Sequence, residues 1–123
     1  MSGRQPRAIT LYGIPNCDTV KKARAWLQAT PHEVHFHDFK KAGVPADRLD
    51  AWAEAVGWER LLNRQGTTWR KLDDALRASV VDVDVASAKR LMLAQPSVIK
   101  RPVVEWGDGT VTVGFDAADW AGR

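Results

Sequence analysis

The 123-residue chain is 45% hydrophobic and 27% charged, which is typical of one globular domain that needs neither disulfides nor metals to hold its core. Its formal net charge of +3 is too small to indicate nucleic-acid binding, and no apolar run approaches the ~20 residues of a membrane-spanning helix. A single cysteine excludes an intramolecular disulfide and, with no secretory apolar segment in MSGRQPRAIT, predicts a cytoplasmic protein.

The first forty residues predict a strand, a helix and a second strand. Residues 8–12 are rich in β-branched and aromatic side chains and stop at Gly13, as a buried strand does. The turn GIPN follows, with Asn16 as a candidate helix cap, and apolar residues then recur at helical spacing from 18 to about 29. Residues 33–39 alternate between polar and apolar, which indicates a half-exposed strand. This order predicts a βαβ unit with a right-handed crossover.

The middle of the chain carries only helical patterns, punctuated by glycines and by the β-like stretch VVDVDV at 80–85. Within it, GTTW predicts a helix start capped by the hydroxyl of Thr67 or Thr68. The predicted helical segments are 47–56, 58–63, a short turn at 67–72, 73–78 and 86–94.

Strand patterns return after Pro96. Residues 98–99 lead into KRPVVEW, the GDG at 107–109 predicts a hairpin turn, and TVTVGF forms the partner strand. Residues 116–120 predict a short closing helix. The whole order predicts a small α/β domain over 1–123 with a mixed sheet and a helical insertion at approximately 45–95.

Cys17 lies where the first turn meets the first helix. Unpaired N–H groups and partial positive charge at a helix start favour a thiolate, and such positions lower a cysteine pKa from about 8.5 to roughly 3.5–7.5. Lys21, four residues later, adds a cation on the same helix face, whereas Asp18 opposes a second negative charge. We therefore expect a lowered pKa. The alternative is an inert cysteine buried as a small hydrophobic residue.

Val20 stands three residues after Cys17, so the chain has no CxxC pair. If Cys17 forms a mixed disulfide, the thiol that resolves it comes from another molecule. Glutathione and other proteins are the natural sources.

Three segments in order, YGIPNCDTVKKA, LLNRQGTTWRKL and IKRPVV, resemble the arsenate reductase-like family (ArsC/Spx/YffB), in particular its YffB branch. The resemblance covers roughly 9–116. It implies a thioredoxin-like fold with a mixed four-stranded sheet, an inserted all-helical subdomain and a cis Pro102 beside Cys17. For arsenate reductases it further implies that the cysteine thiolate attacks arsenate, glutathione attacks the adduct, and glutaredoxin completes the reduction.

This chain departs from the arsenate reductase pattern at three positions. Asn63 stands where these enzymes have an arginine, with Arg64 one residue later. A further arginine corresponds to about Gly114, and a loop histidine corresponds to Gly13. Arg101 matches an arginine that holds the oxyanion. These departures argue against arsenate as the physiological substrate.

The resulting prediction is a glutathione-dependent thiol oxidoreductase with Cys17 and Arg101 as catalytic residues. It needs no tightly bound cofactor, uses glutathione as co-substrate and glutathione or a glutaredoxin-like protein as thiol donor, and is a monomer without nucleic-acid or membrane partners. The alternative is an Spx-like regulator that binds RNA polymerase or another protein. The predicted substrate-binding residues are Arg64, Asn16, Asn63, Pro102 and Lys21.

Other side-chain groups have competing interpretations. Arg70, Lys71 and Lys100 could join Arg64 and Arg101 in a basic pocket suited to glutathione carboxylates, or merely cover a solvated surface.

Glu33, His35 and His37 share one strand face. A solvent-facing strand explains them more simply than a metal site, so no metal is predicted. The six tryptophans indicate packing rather than nucleic-acid stacking, with Trp69 as a candidate pocket wall.

Overall fold

The computed structural model describes residues 8–81 and 85–123. They fall into two compact units, one of residues 8–39 and 101–123 and the other within Lys40–Lys100. The prediction of a single domain with an insertion at 45–95 stays a prediction. In chain order the elements are β1 (Ala8–Gly13), α1 (Asp18–Gln28), β2 (Glu33–Asp38), α2 (Phe39–Ala42), α3 (Ala46–Val56), α4 (Trp58–Leu61), α5 (Thr67–Lys71), α6 (Asp74–Val81), α7 (Val85–Ala94), a 3₁₀ turn (Pro96–Val98), β3 (Val103–Glu105), β4 (Val111–Val113) and α8 (Ala117–Trp120).

The first unit is built on a four-stranded sheet in the order β2-β1-β3-β4. β1 runs parallel to β2, which confirms the predicted βαβ unit, and antiparallel to β3. In the register, Leu11 lies between Phe36 and Val104, and the hairpin pairs Val104 with Thr112. The sheet is therefore mixed, and β1 is one of its two central strands.

The core of this unit lies between the sheet and α1. Val20, Ala23 and Leu27 are fully buried along one face of α1, at the spacing that the helical pattern predicts. They form one cluster with apolar side chains from β1, from β3 and the residue after it, and from α8. The remaining cluster members are Ile9, Leu11, Val104, Trp106 and Trp120.

Aromatic side chains close this core at the end of the chain. Trp120, 1% exposed, has its ring centroid 4.8 Å from that of Phe115, 5.0 Å from Trp106 and 5.8 Å from Trp26, in edge-to-face arrangements. The side chain of Asp116 accepts hydrogen bonds from the N–H groups of Ala118 and Asp119 and so caps α8. The predicted closing helix is confirmed, with Asp116 as its cap rather than its first turn.

In the second unit, the described residues form helices and one isolated β-bridge, between Leu62 and Ile99. The bridge ends α4 at Leu61, two residues before the predicted end, because Asn63 N–H donates to Val98 and Lys100 N–H donates to Leu61. Residues 98–99 are consequently not a strand. The 3₁₀ turn occupies Pro96–Val98, and Ile99, whose N–H donates to the Pro96 carbonyl, pairs with Leu62 in the isolated bridge.

Three further local predictions need correction. Asn16 does not cap α1, since Cys17 occupies the N-cap position of that helix. Neither Thr67 nor Thr68 caps α5, whose N-cap is Gly66. The β-like reading of VVDVDV is also wrong at its described ends: Val80 and Val81 lie in α6 and Val85 begins α7, while 82–84 lie outside the described residues.

The tryptophans pack as predicted in the described residues. Trp52, Trp69, Trp106 and Trp120 are buried, and Trp26 and Trp58 are half-buried. None of the helices in the described part of the chain has the length and apolar character needed to cross a bilayer.

Candidate active site around Cys17

Cys17 lies at the N-terminus of α1, one residue before the helix begins. The strand β1 ends at Gly13, and the short loop that follows brings the chain to Cys17 in an extended conformation, with φ −136° and ψ 124°. Its carbonyl oxygen already accepts the first helical hydrogen bond, from Lys21 N–H at 2.9 Å. The side chain is half-buried and packs against the core cluster, so the sulfur has both an apolar side and an open one.

Arg101 reaches Cys17 because of the strand pairing. β3 runs antiparallel to β1 with Val103 opposite Tyr12, which places the residues just before β3 beside the end of β1. Those residues are Arg101 and Pro102. Their peptide bond is cis, which confirms the prediction from the family resemblance, and the Pro102 carbonyl accepts a hydrogen bond from Gly114 N–H at 2.9 Å.

The surroundings of the sulfur favour its charged form. The largest single effect is burial, which raises the pKa of Cys17, but the other effects together outweigh it and the pKa lies below its ordinary value. They are hydrogen bonding from Val20 N–H, a hydrogen bond and the positive charge of Arg101, and hydrogen bonding from Thr19 N–H. These N–H groups belong to the first turn of α1, where they have no intrahelical acceptor, so they favour negative charge on the sulfur.

Lys21 does not take part in this stabilisation. Its side chain is exposed on α1, and it is not among the groups that lower the pKa of Cys17. The loop residue before the cysteine, Asn16, is exposed as well, and Pro102 is buried. Cys17, Arg101 and Pro102 therefore form the part of the predicted site that this unit brings together.

Asn63 and Arg64 belong to the helical unit, and their contacts are described within it. The Asn63 Oδ1 accepts a hydrogen bond from Gln65 N–H at 3.1 Å, which closes a turn before α5. The Arg64 guanidinium carbon stands 5.7 Å from the ring centroid of Trp58, and the residue is exposed. Both residues stay predictions as substrate-binding groups. Arg70, Lys71 and Lys100, the other basic residues of the suggested pocket, are exposed in the same unit.

The strand face with Glu33, His35 and His37 has contacts that account for its side chains. His35 Nε2 lies 3.7 Å from Glu33 Oε1, with both side chains more than half exposed, and the ring of His37 stands 5.0 Å from that of Tyr12. Among residues 8–81 and 85–123, no group of three or more histidine, cysteine, aspartate or glutamate side chains is arranged to hold a metal ion.

Sequence patterns did not reveal the packing between Gly13 and Val20. A Cβ atom on Gly13 would stand 2.8 Å from Cγ2 of Val20. This contact joins the end of β1 to α1 and depends on how the two elements pack, so no local sequence pattern predicts it.

The chain is similar in sequence to bacterial proteins. A protein of Haemophilus influenzae of uncharacterized function is 38% identical over 91% of this chain and 95% of its own. The global transcriptional regulator Spx of Streptococcus pyogenes is 27% identical over 78% of this chain and 70% of its own.

Two solved structures are similar over nearly the whole chain. The YFFB protein is 48% identical with a TM-score of 0.84, covering 93% of this chain and 96% of its own. An arsenate reductase (ArsC) related protein from Brucella melitensis is 50% identical with a TM-score of 0.74, covering 98% of each chain. The predicted thioredoxin-like fold with a mixed four-stranded sheet is thereby confirmed. The model of the ArsC family matches residues 12–122, and the chain belongs to the ArsC family.

Proposed function

We propose that this protein is a cytoplasmic, glutathione-dependent thiol oxidoreductase that works through a single nucleophile, Cys17. The observation that carries the proposal is the position of Cys17, half-exposed at the N-terminus of α1 and beside Arg101, surroundings that lower the pKa of its thiol. The thiolate is the nucleophile in thiol–disulfide exchange, and its fraction at neutral pH rises as the pKa falls.

The proposed reaction has two exchange steps. In the first, the Cys17 thiolate attacks the glutathione sulfur of a mixed disulfide between glutathione and a substrate thiol. The substrate sulfur leaves as a thiolate and takes up a proton, and Cys17 becomes glutathionylated. In the second, the thiolate of another glutathione attacks that adduct, which releases Cys17 as thiolate and forms oxidised glutathione. The sum is substrate disulfide plus glutathione giving substrate thiol plus oxidised glutathione.

A donor from outside the chain is required because Cys17 is its one cysteine. Glutathione is the donor we propose, with a glutaredoxin-like protein as the other candidate. In the proposed reaction, Arg101 stabilises the attacking thiolate and orients a carboxylate of glutathione. Arg64, Asn63, Asn16, Pro102 and Lys21 are proposed as further binding residues.

Arsenate is not the substrate we propose. The residue that corresponds to a third arginine of arsenate reductases is about Gly114, which has φ 85°. Side chains with a Cβ rarely adopt that conformation, so this backbone favours glycine over arginine there. Supplying arsenate with glutathione and glutaredoxin should therefore give little turnover, and robust turnover would contradict this part of the proposal.

The test of the proposal is adduct formation. We expect oxidised glutathione to add one glutathionyl group to the wild-type protein by mass spectrometry, and reduced glutathione to remove it. Cys17→Ser should acquire none. If Cys17 titrates like a free thiol and forms no adduct, the proposal is wrong. Removing the adduct with glutathione and with glutaredoxin in parallel identifies the donor.

A binding function is the second candidate, because Spx regulators match 78% of this chain. In that case the protein engages RNA polymerase or another protein, and Cys17 is dispensable. Pull-down from lysate with the wild type and Cys17→Ser separates the two functions. Retention of the same stoichiometric partner by both proteins, without any glutathione adduct on the wild type, would favour binding.

A further inference from the structure

Gly13, the last residue of β1, lies directly against the first turn of α1. A Cβ atom added to Gly13 would stand 2.8 Å from Val20 Cγ2 and 3.6 Å from Val20 Cγ1. Carbon atoms do not approach to 2.8 Å without displacement, so this packing depends on the missing side chain at residue 13. Val20 has little freedom to move away, since its side chain is 0% exposed and β-branched.

Val20 is also one of the residues whose backbone faces the sulfur of Cys17. Its N–H group and that of Thr19 favour the thiolate, while its side chain is held in the core cluster with Ile9 and Leu11. The side chain and the N–H group of Val20 belong to one rigid helical turn. Because a buried β-branched side chain has few alternative rotamers, relieving the contact displaces this turn and moves the N–H group relative to the sulfur.

We infer that Gly13 is a positioning residue for Cys17: its missing side chain lets the first turn of α1 pack against the end of β1 and holds the Val20 N–H at the sulfur. Gly13 acts through Val20 and not by contact with a substrate. The consequence for turnover rests on the proposed thiol chemistry, but the thiolate can be measured without any disulfide or glutathione.

The experiment follows the rate of Cys17 alkylation by iodoacetamide as a function of pH. We expect Gly13→Ala to shift this profile to higher pH and to slow alkylation at about pH 6.5 by about threefold or more, because fewer molecules carry a thiolate. Gly122→Ala is the matched control, since a Cβ there meets nothing closer than the Asp119 carbonyl oxygen at 4.0 Å. It should leave the profile unchanged.

Val20→Ala separates positioning from a general loss of stability. The added Cβ on Gly13 would stand 3.8 Å from the Val20 Cβ, an ordinary contact, so the double variant Gly13→Ala/Val20→Ala removes the clash. We expect the double variant and Val20→Ala to have the same alkylation profile within about twofold. Urea denaturation of each variant measures its stability, so that a change in the alkylation profile can be compared with a change in the free energy of unfolding.

The stability and the alkylation profile of Gly13→Ala together test the inference. A folded Gly13→Ala protein that is less stable but has an unchanged alkylation profile would show that the contact is only structural, and the inference would be wrong. If Gly13→Ala does not fold, the comparison of Val20→Ala with the double variant decides, and a shifted profile in the double variant overturns the inference. Failure of glutathione to add to Cys17 would instead refute the proposed function alone.

Discussion

The guanidinium group of Arg101 hydrogen-bonds to the sulfur of Cys17, although the two residues come from different segments of the first unit, 101–123 and 8–39. They meet because β3 pairs with β1, which sets the segment before β3 beside the loop after β1. Arg101 acts on the sulfur in two ways, through a hydrogen bond and through its charge, and both favour the thiolate. This pair is the basis of the first prediction.

Replacing Arg101 by methionine should raise the pKa of Cys17. The substitution removes the hydrogen bond and the positive charge while keeping a long side chain, and burial of the sulfur then opposes the thiolate with less compensation. We expect alkylation at about pH 6.5 to slow by about threefold to tenfold, less than the loss of thiolate alone implies, because a thiolate of higher pKa is more nucleophilic. The pH profile of iodoacetamide alkylation measures this.

Two other cations of the same unit serve as controls for Arg101. Lys21→Met removes an exposed cation that does not contribute to the lowered pKa, and Arg24→Met removes one whose guanidinium lies 4.2 Å from the centroid of the Phe36 ring. Both should keep the wild-type profile. An effect of Lys21→Met as large as that of Arg101→Met would mean that general surface charge, and not the Arg101 contact, sets the thiolate fraction.

The lowered pKa of Cys17 also predicts a pH-dependent contribution to stability. Because the folded-state pKa is below that of the unfolded chain, the contribution is fully present above the unfolded-state pKa and is lost as pH falls through the folded-state pKa. The stability of the wild type relative to Cys17→Ser should therefore decrease as pH is lowered through that window. Urea denaturation of both proteins at several pH values tests this, and a difference that is constant with pH contradicts it.

Trp120 should be among the most costly residues to truncate in the first unit. Its ring is 1% exposed and packs on Trp26, Trp106 and Phe115, so Trp120→Ala removes a large buried side chain that its neighbours cannot replace. We expect a loss of about 3–5 kcal/mol in the free energy of unfolding. Leu93→Ala, at a residue 41% exposed, is the control and should cost less than about 1 kcal/mol. Comparable losses would refute this account of the core.

The cap of α8 gives a smaller and more local prediction. Asp116 accepts hydrogen bonds from Ala118 N–H at 3.0 Å and Asp119 N–H at 3.3 Å, and Asp116→Ala leaves both donors without this acceptor. The free energy of unfolding should fall by about 0.5–2 kcal/mol. Asp116→Asn keeps an acceptor oxygen and should retain most of the stability that the cap contributes. Equal losses in the two variants would show that the charge of Asp116, and not capping, is responsible.

The sequence alone predicted the elements whose signals are local. The β-branched run of β1, the spacing of Val20, Ala23 and Leu27 in α1, and the GDG turn between β3 and β4 each depend on neighbours along the chain, and all three are confirmed. The lowered pKa of Cys17 was also predicted, since a helix N-terminus supplies its N–H groups wherever the helix lies. The presence of Arg101 and a cis Pro102 beside the site followed from family resemblance.

Only the tertiary structure decided how the sulfur is surrounded. Lys21 was predicted to help lower the pKa of Cys17, but Arg101 is the cation that does so. Strand pairing, and not distance along the sequence, determines which charge reaches the thiolate. The end of α4 was likewise set by the bridge between Leu62 and Ile99, whose pairing overrides local helical preference. The contact of Gly13 with Val20 belongs to the same class. Such contacts join residues that are distant along the chain or lie on different elements, so they exist only once those elements have packed.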